Sequence, residues 1–212
     1  MQKQPSPTNK LFLTLIVMSG WFALVTQLYI NITAKAGSLA ETITRFFSYF
    51  TILTNLLVAI ACTALLLKPG SKWGRFFSGQ QAFTAITVYI VIVGLIYNTI
   101  LRFTWDPQGM QRVVDEMLHS VIPVLVLLYW LIFVRKNELQ WKHIFPWQVF
   151  PFAYIIFVLV RGAVSGFYPY PFINAYSLGI NKVVANSVGI ALLFIIASIF
   201  FVGLGKFLNN KI

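Results

Sequence analysis

The stretch FFSYFTILTNLLVAI, Phe46 to Ile60, opens an uncharged apolar run that continues to Leu67. A run of about 20 mostly apolar residues is long enough to cross the hydrocarbon of a bilayer as one helix. Within it, Ser48, Thr51 and Asn55 recur at spacings of three and four, and Thr44 precedes Ser48 by four. Those spacings place side chains on one helical face. The segment therefore predicts a membrane helix with a polar stripe. Polar groups are costly in lipid, so such a stripe turns toward a bundle interior and often marks function.

Five further runs have spanning length: Leu11–Ile30, Ala82–Leu101, Leu118–Val134, Trp147–Val164 and Val183–Leu204, alongside Phe46–Leu67. The chain has 212 residues, 58% hydrophobic and 10% charged, with mean hydropathy +0.79. A soluble domain of this length would expose far more charge. A β-barrel would need ~10-residue alternating segments, and nothing alternates for long. The expected fold is all-α: a polytopic membrane protein, a six-transmembrane helical bundle, with residues 1–212 forming one integral membrane domain. Short loops make sequential helices antiparallel neighbours.

The net charge of +11 raises the question of nucleic acid, and its distribution excludes it. Ten of the sixteen Lys and Arg fall in the N-terminal tail, the second and fourth loops and the C-terminal tail. Six fall in the first, third and fifth loops, with four of the five acids: Glu41, Asp106, Asp115 and Glu116. Basic residues favour the cytoplasmic side. Both termini are then expected in the cytoplasm, an arrangement only an even helix count permits, and the site is a cell membrane. The cytoplasmic loops KPGSKWGRF and RKNELQWKHIFPW mix basic residues with Trp and Phe, which is what anchoring among anionic headgroups requires.

The first helix is preceded by Lys3 and Lys10, and Ala34-Lys35-Ala36 resembles a signal cleavage site. Its apolar core of about 20 residues exceeds the ~7–15 of a cleaved signal, so a retained span is expected. Asn31-Ile32-Thr33 is a glycosylation sequon close to the bilayer. The lone cysteine, Cys62, can form no intrachain disulfide and reads as packing.

The outer loops carry the informative polar residues. Asp106-Pro107 predicts a helix start, Asp as N-cap and Pro at the first position. Asp115 and His119 are four apart and share a face, as do Asn98 and Arg102 at the end of the third helix. The fifth loop, GFYPYPFINAY, alternates Pro with aromatics and favours extended backbone. Thr51 and Asn55 on the second helix, Asn98 and Arg102 on the third, Asp115 and His119 on the fourth and Arg161 on the fifth are expected to converge on one outer polar site.

The chemistry open to this set is narrow. Two histidines, His119 and a loop His143, are too few for haem ligation across the bundle, and a zinc site would need carboxylates from elsewhere. No cofactor and no metal are expected. There is no Gly-x-Ser-x-Gly elbow. What remains is a hydroxyl (Ser48, Thr51 or Thr54), one imidazole and a carboxylate, the parts of a nucleophile–base–orienter relay. Spacing alone does not choose among the hydroxyls. Each part has a plainer reading: Thr51 bonded to its own preceding turn, His119 as an interfacial residue, Asp115 paired with Arg112, Arg102 and Arg161 as snorkelling anchors. Pro123 has no N–H for the carbonyl of His119, leaving an acceptor free beside the imidazole.

YFTILTNLL (Tyr49–Leu57), LHSVIPVL (Leu118–Leu125) and YPYPF (Tyr168–Phe172) resemble, in the same order, landmarks of the androgen-induced gene 1 and androgen-dependent TFPI-regulating protein superfamily, particularly its bacterial multi-pass relatives. The resemblance spans nearly the whole chain. Animal members are described as intramembrane threonine hydrolases that cleave fatty acid esters of hydroxy fatty acids with a Thr and a His. The resemblance puts that Thr at Thr51, after Phe50, and that His at His119, before Ser120-Val121-Ile122-Pro123. Its Tyr-Pro-Phe element matches Tyr170, Pro171 and Phe172. Where the animal proteins carry an acid three residues after the Thr, this chain has Thr54 followed by Asn55. Its own polar set is Asn98, Arg102 and Asp115.

The resulting expectation is a membrane-embedded lipid ester hydrolase acting on fatty acid ester substrates among membrane lipids. Thr51 is the nucleophile and His119 the base. Asp115 orients the imidazole, Asn55, Asn98 or Arg102 stabilise the oxyanion or hold a carboxylate, and Ser48 and Tyr170 line the wall. The alternative is a non-enzymatic lipid or small-molecule binding or transport protein using the same pocket. The hydrolase reading requires Thr51 Oγ and His119 to face one cavity, within about 2.6–3.2 Å or one water-mediated step.

Overall fold

The computed structural model describes residues 6–35 and 37–209; Lys3, Lys211 and Ala36 of the Ala-Lys-Ala motif lie outside them. Among these residues eleven α-helices follow in order: α1 (Pro7–Thr33), α2 (Leu39–Phe46), α3 (Phe50–Leu67), α4 (Lys72–Phe77), α5 (Gln80–Thr99), α6 (Gly109–Glu116), α7 (Ile122–Phe133), α8 (Ile144–Trp147), α9 (Val149–Ser165), α10 (Ala175–Leu178) and α11 (Ile180–Asn209). A π-helical turn, Met117–Val121, joins α6 to α7, and short 3-10 turns follow α5 and precede α8 and α10. No strand occurs among the described residues. Among the described residues six helical units are long and apolar enough to cross a membrane: Pro7–Thr33, Phe50–Leu67, Gln80–Phe103, Gly109–Phe133, Trp141–Ser165 and Ile180–Asn209. The protein is an integral multi-pass membrane protein.

The helix ends follow from local chemistry. Ser6, Ser38 and Ser71 each accept a backbone N–H at the start of α1, α2 and α4, and Pro7 occupies the first turn of α1. Gly166, at φ +73°, closes α9 in the left-handed conformation. The last turn of α7 is capped by Lys136, whose Nζ donates to the carbonyls of Trp130, Leu131 and Val134 at 2.9, 3.1 and 2.6 Å. A cation there also complements the helix dipole.

α5 is the buried hub, packed against α3, α7 and α11. α1 lies along α3, where Gly20 faces Ala59 so closely that an added Cβ would touch at 3.4 Å. Deep in the bundle, Trp130 Nε1 donates to Thr84 Oγ1 at 2.8 Å, which satisfies a fully buried indole.

Two expectations are corrected. The run from Phe46 is not one helix: α2 ends at Phe46, residues 47–49 turn, and α3 starts at Phe50. Thr44 and Ser48 therefore leave the face shared by Thr51 and Asn55. The break arises because α2 is amphipathic and held at its polar surface by the Glu41–Arg45 pair at 2.7 Å, whereas α3 is uncharged and mostly apolar. Likewise Asp106 is not a helix cap. Gln108 is the N-cap, and Gly109, at φ +58°, turns the chain into α6. The Gln108 side chain donates to the Asp106 carbonyl instead.

Candidate active site

The site lies at the end of the bundle that carries α2, α6 and the 167–174 connection. Its floor is set by a defect in one helix. Pro123 offers no N–H, and the π turn at Met117–Val121 shifts the ladder so that the Ile122 N–H bonds to the Met117 carbonyl. The carbonyls of Leu118 and His119 are thereby released, and buried acceptors need partners. Asn55 Nδ2, from α3, donates to the Leu118 carbonyl at 3.2 Å. Asn98 Nδ2, from α5, donates to the His119 carbonyl at 3.1 Å. Three chain segments are pinned at one depth, that of the His119 ring. Both amides also bond their own preceding turn, to Thr51 and Gly94 carbonyls. Their N–H groups are thus directed at backbone.

His119 is fixed from three sides. Its Nδ1 lies 2.9 Å from the Asp115 carbonyl and 3.2 Å from Asp115 Oδ1. Both neighbours are acceptors, so Nδ1 carries a proton, and Nε2 is the nitrogen left for other chemistry. The ring stacks on Tyr97 at 4.0 Å between centroids, 13° from parallel. The Tyr97 hydroxyl donates to Asp115 Oδ2, so both oxygens of this buried carboxylate are engaged. The other histidine, His143, is buried and accepts the Gln140 N–H at the opposite end, a local cap.

Thr51 is the second residue of α3, whose N-cap, Tyr49, supplies no side-chain bond. The N–H groups of that first turn, which have no partner within the helix, are met by tyrosines from elsewhere. Phe50 N–H donates to the Tyr154 hydroxyl at 3.2 Å, and Thr51 N–H to the Tyr170 hydroxyl at 3.3 Å. Thr51 Oγ1 lies 3.4 Å from the same Tyr170 oxygen. Burial pushes the Tyr170 hydroxyl above the usual tyrosine range, so it remains a donor. Tyr154 in turn donates to the Ser48 carbonyl at 2.9 Å.

Two cavities meet at these residues. The first, about 290 Å³, is an apolar chamber walled by side chains such as Ile92, Ile96, Phe152, Ile190 and Phe194. The second, about 370 Å³, is the more polar of the two, a vestibule with Gln27, Asn31, Thr104, Trp105, Gln111 and Asp115 in its wall. Thr51, His119, Tyr97, Tyr170 and Leu101 line both. Of the three hydroxyls, Ser48 turns back to the Thr44 carbonyl at 2.6 Å, and Thr54 is buried without a partner; neither lines a cavity. Among the described residues no hydrogen bond joins Thr51 to His119.

Arg102 sits past the end of α5, on the 3-10 turn, and forms an ion pair with Glu116; it lines neither cavity. Arg161 pairs with Glu41 at 3.3 Å rather than snorkelling. Arg45 and Arg161 both stack on Phe167 at 4.7 Å, forming a roof over the site. Asn31 of the sequon is half-buried and accepts from Gln27, inside the vestibule. Sequence reading missed Tyr97, Tyr154, Gln27 and Gln111. The fourfold spacings Gln27–Asn31 and Gln111–Asp115 were signals for two of them. The chain matches no family model, no curated protein and no solved structure.

Proposed function

We propose that this protein is an intramembrane lipid ester hydrolase of the cell membrane, with both termini cytoplasmic and the vestibule on the outer side. The observation that carries the reading is that Thr51 and His119 line both an apolar chamber and a polar vestibule where the two meet. An acyl chain fits the chamber, which sets its ester at the junction. His119 Nε2 takes the proton of Thr51 Oγ as the oxygen attacks the ester carbonyl, then passes it to the leaving alcohol. Water, activated by the same nitrogen, releases the acyl group from Thr51.

The oxyanion is met by the Tyr170 O–H and by the positive end of α3, at whose second residue Thr51 stands. Asp115 orients the imidazole, and Tyr97 holds Asp115. Asn55 and Asn98 fix the position of His119 through its backbone. Catalytic hydrogen bonds are often long before substrate binds, so the Thr51–His119 contact is expected to close around the ester. The chemistry is that implied by resemblance to the androgen-induced gene 1 superfamily, and that membership is part of the proposal.

One observation favours binding without cleavage: Thr51 Oγ1 has Tyr170 as its neighbour, not His119. The two readings separate in an esterase assay on purified protein in detergent, with fluorescent long-chain esters and a phosphonate probe directed at serine and threonine. Hydrolysis and labelling lost in both Thr51→Ala and His119→Ala, with unchanged thermal unfolding, support the relay. Hydrolysis that persists in Thr51→Ala rules it out.

A further inference from the structure

The vestibule has an unusual charge balance. Among the described residues, no Lys or Arg lines either cavity. Three arginines lie beside the site and are held by two carboxylates outside it, Arg102 by Glu116 and both Arg45 and Arg161 by Glu41. The one carboxylate that does line the vestibule, Asp115, is buried against His119 and Tyr97. An anionic headgroup entering here would meet the buried Asp115 carboxyl and no cation in the cavity wall, which is costly at low dielectric.

The vestibule offers carboxamides instead. Gln27 Nε2 donates to Asn31 Oδ1 at 2.8 Å and to Gln111 Oε1 at 3.2 Å, and Gln111 Nε2 donates back to Gln27 Oε1 at 2.9 Å. This ring ties α1 to α6 and leaves unused the Asn31 Nδ2 donors and further amide oxygen lone pairs. A carboxamide both donates and accepts, as a hydroxyl does, so the cluster is complementary to neutral hydroxyl groups. Trp105, exposed at the mouth, adds an aromatic face for the apolar side of a polyol. A volume of about 370 Å³ lies within the ~300–1,000 Å³ range of small-molecule sites.

We infer that the lipid taken at this site carries a neutral, hydroxyl-rich headgroup, a glycerol or hexose ester, bonded by the Gln27–Asn31–Gln111 cluster with its acyl chain in the apolar chamber. The inference rests on the hydrolase reading for the word ester, but its binding claim is testable separately. The probes are 1-oleoylglycerol, a 6-oleoyl glucose ester and, as the anionic control, the oleoyl ester of hydroxystearic acid. Binding of each radiolabelled probe to the Thr51→Ala protein in detergent is measured, which removes turnover from the readout.

At least one neutral polyol ester is expected to bind about tenfold tighter than the anionic control. The glycerol and glucose arms identify which headgroup is preferred. Gln111→Lys places a cation in the vestibule and is expected to reverse the order. Equal or tighter binding of the anionic ester by the Thr51→Ala protein, binding of none of the probes, or an order unchanged by Gln111→Lys would overturn the inference. A folded wild-type protein that binds the neutral ester without cleaving it would remove the hydrolase reading and leave the headgroup assignment standing.

Discussion

Asn98 on α5 and His119 on the π turn are joined through backbone: Asn98 Nδ2 donates to the His119 carbonyl at 3.1 Å. That carbonyl is available because residue 123 is proline. Gly94, one turn earlier on α5, lets the two segments come this close, since an added Cβ would meet the same carbonyl at 3.1 Å and Pro123 Cβ at 3.1 Å. A helix defect, a glycine and an asparagine thus act together to set the depth and direction of one imidazole.

This coupling is measurable. Asn98→Leu leaves the His119 carbonyl buried without its amide, at a cost of ~1–3 kcal/mol of stability. Pro123→Ala returns an N–H to the ladder and gives that carbonyl a helical partner. In the Pro123→Ala background, Asn98→Leu is therefore expected to cost less, with a coupling of about 1 kcal/mol in a double-mutant cycle of unfolding in detergent. Strictly additive effects would show that the asparagine does not answer the proline.

The roof predicts a pH dependence. The Arg45 guanidinium hydrogen-bonded to Glu41, helped by Arg161, holds that carboxyl below its ordinary 4.5. A carboxylate whose folded pKa is depressed contributes stability that is present above its unfolded value and lost as pH falls through the folded one. Thermal unfolding should therefore drop on acidification below about pH 4.5, and Glu41→Gln should flatten that part of the curve. Raising salt should shrink the same difference, because the pair is solvent-exposed. A wild-type curve parallel to that of Glu41→Gln would exclude the mechanism.

Gly162 positions the loop that carries Tyr170. A Cβ there would fall 2.1 Å from Tyr168 Cε1 and 2.4 Å from its Cδ1, so the tyrosine ring lies flat on the bare backbone of α9. Gly162→Ala is expected to destabilise by ~1–3 kcal/mol through overpacking and to displace the loop with Tyr170. Under the proposed hydrolase reading, esterase activity should fall with it. Gly189→Ala is the control: nothing lies within 4 Å of its added Cβ, so stability should hold or rise by up to ~1 kcal/mol. Equal behaviour of the two variants would sink the argument.

Much of this architecture is legible in the chain. The six spans follow from apolar length alone, and Asp115, His119 and Pro123 from spacing and one missing N–H. Thr44 and Ser48 were misread because apolar character continues across the turn at 47–49, while a helix end depends on where α2 packs. The amide ring of Gln27, Asn31 and Gln111 joins residues 84 apart, which no local period encodes. Tyr97 sits beside Asn98 in an apolar run, and its contact with Asp115 depends on the crossing of two helices. The ion pairs of Arg102 with Glu116 and of Arg161 with Glu41 are hidden for the same reason, since they form across the fold rather than along one helix.

Tyr97 makes two separable contacts with the proposed relay, one to His119 and one to Asp115, and substitution can part them. Tyr97→Phe keeps a ring to stack on His119, now at 4.0 Å, but removes the hydroxyl that donates to Asp115 Oδ2. Asp115 then loses one charge-assisted bond, worth ~1.5–3 kcal/mol, and is free to turn away from His119 Nδ1. If Asp115 orients the imidazole, kcat for a long-chain ester should fall about 10- to 100-fold. KM should hold, because the chamber wall is unchanged. Tyr97→Leu removes the stacking as well and should raise KM in addition. A Tyr97→Phe enzyme with wild-type kcat would show that the hydroxyl only fills the vestibule, and the carboxylate would then have to be held by His119 alone.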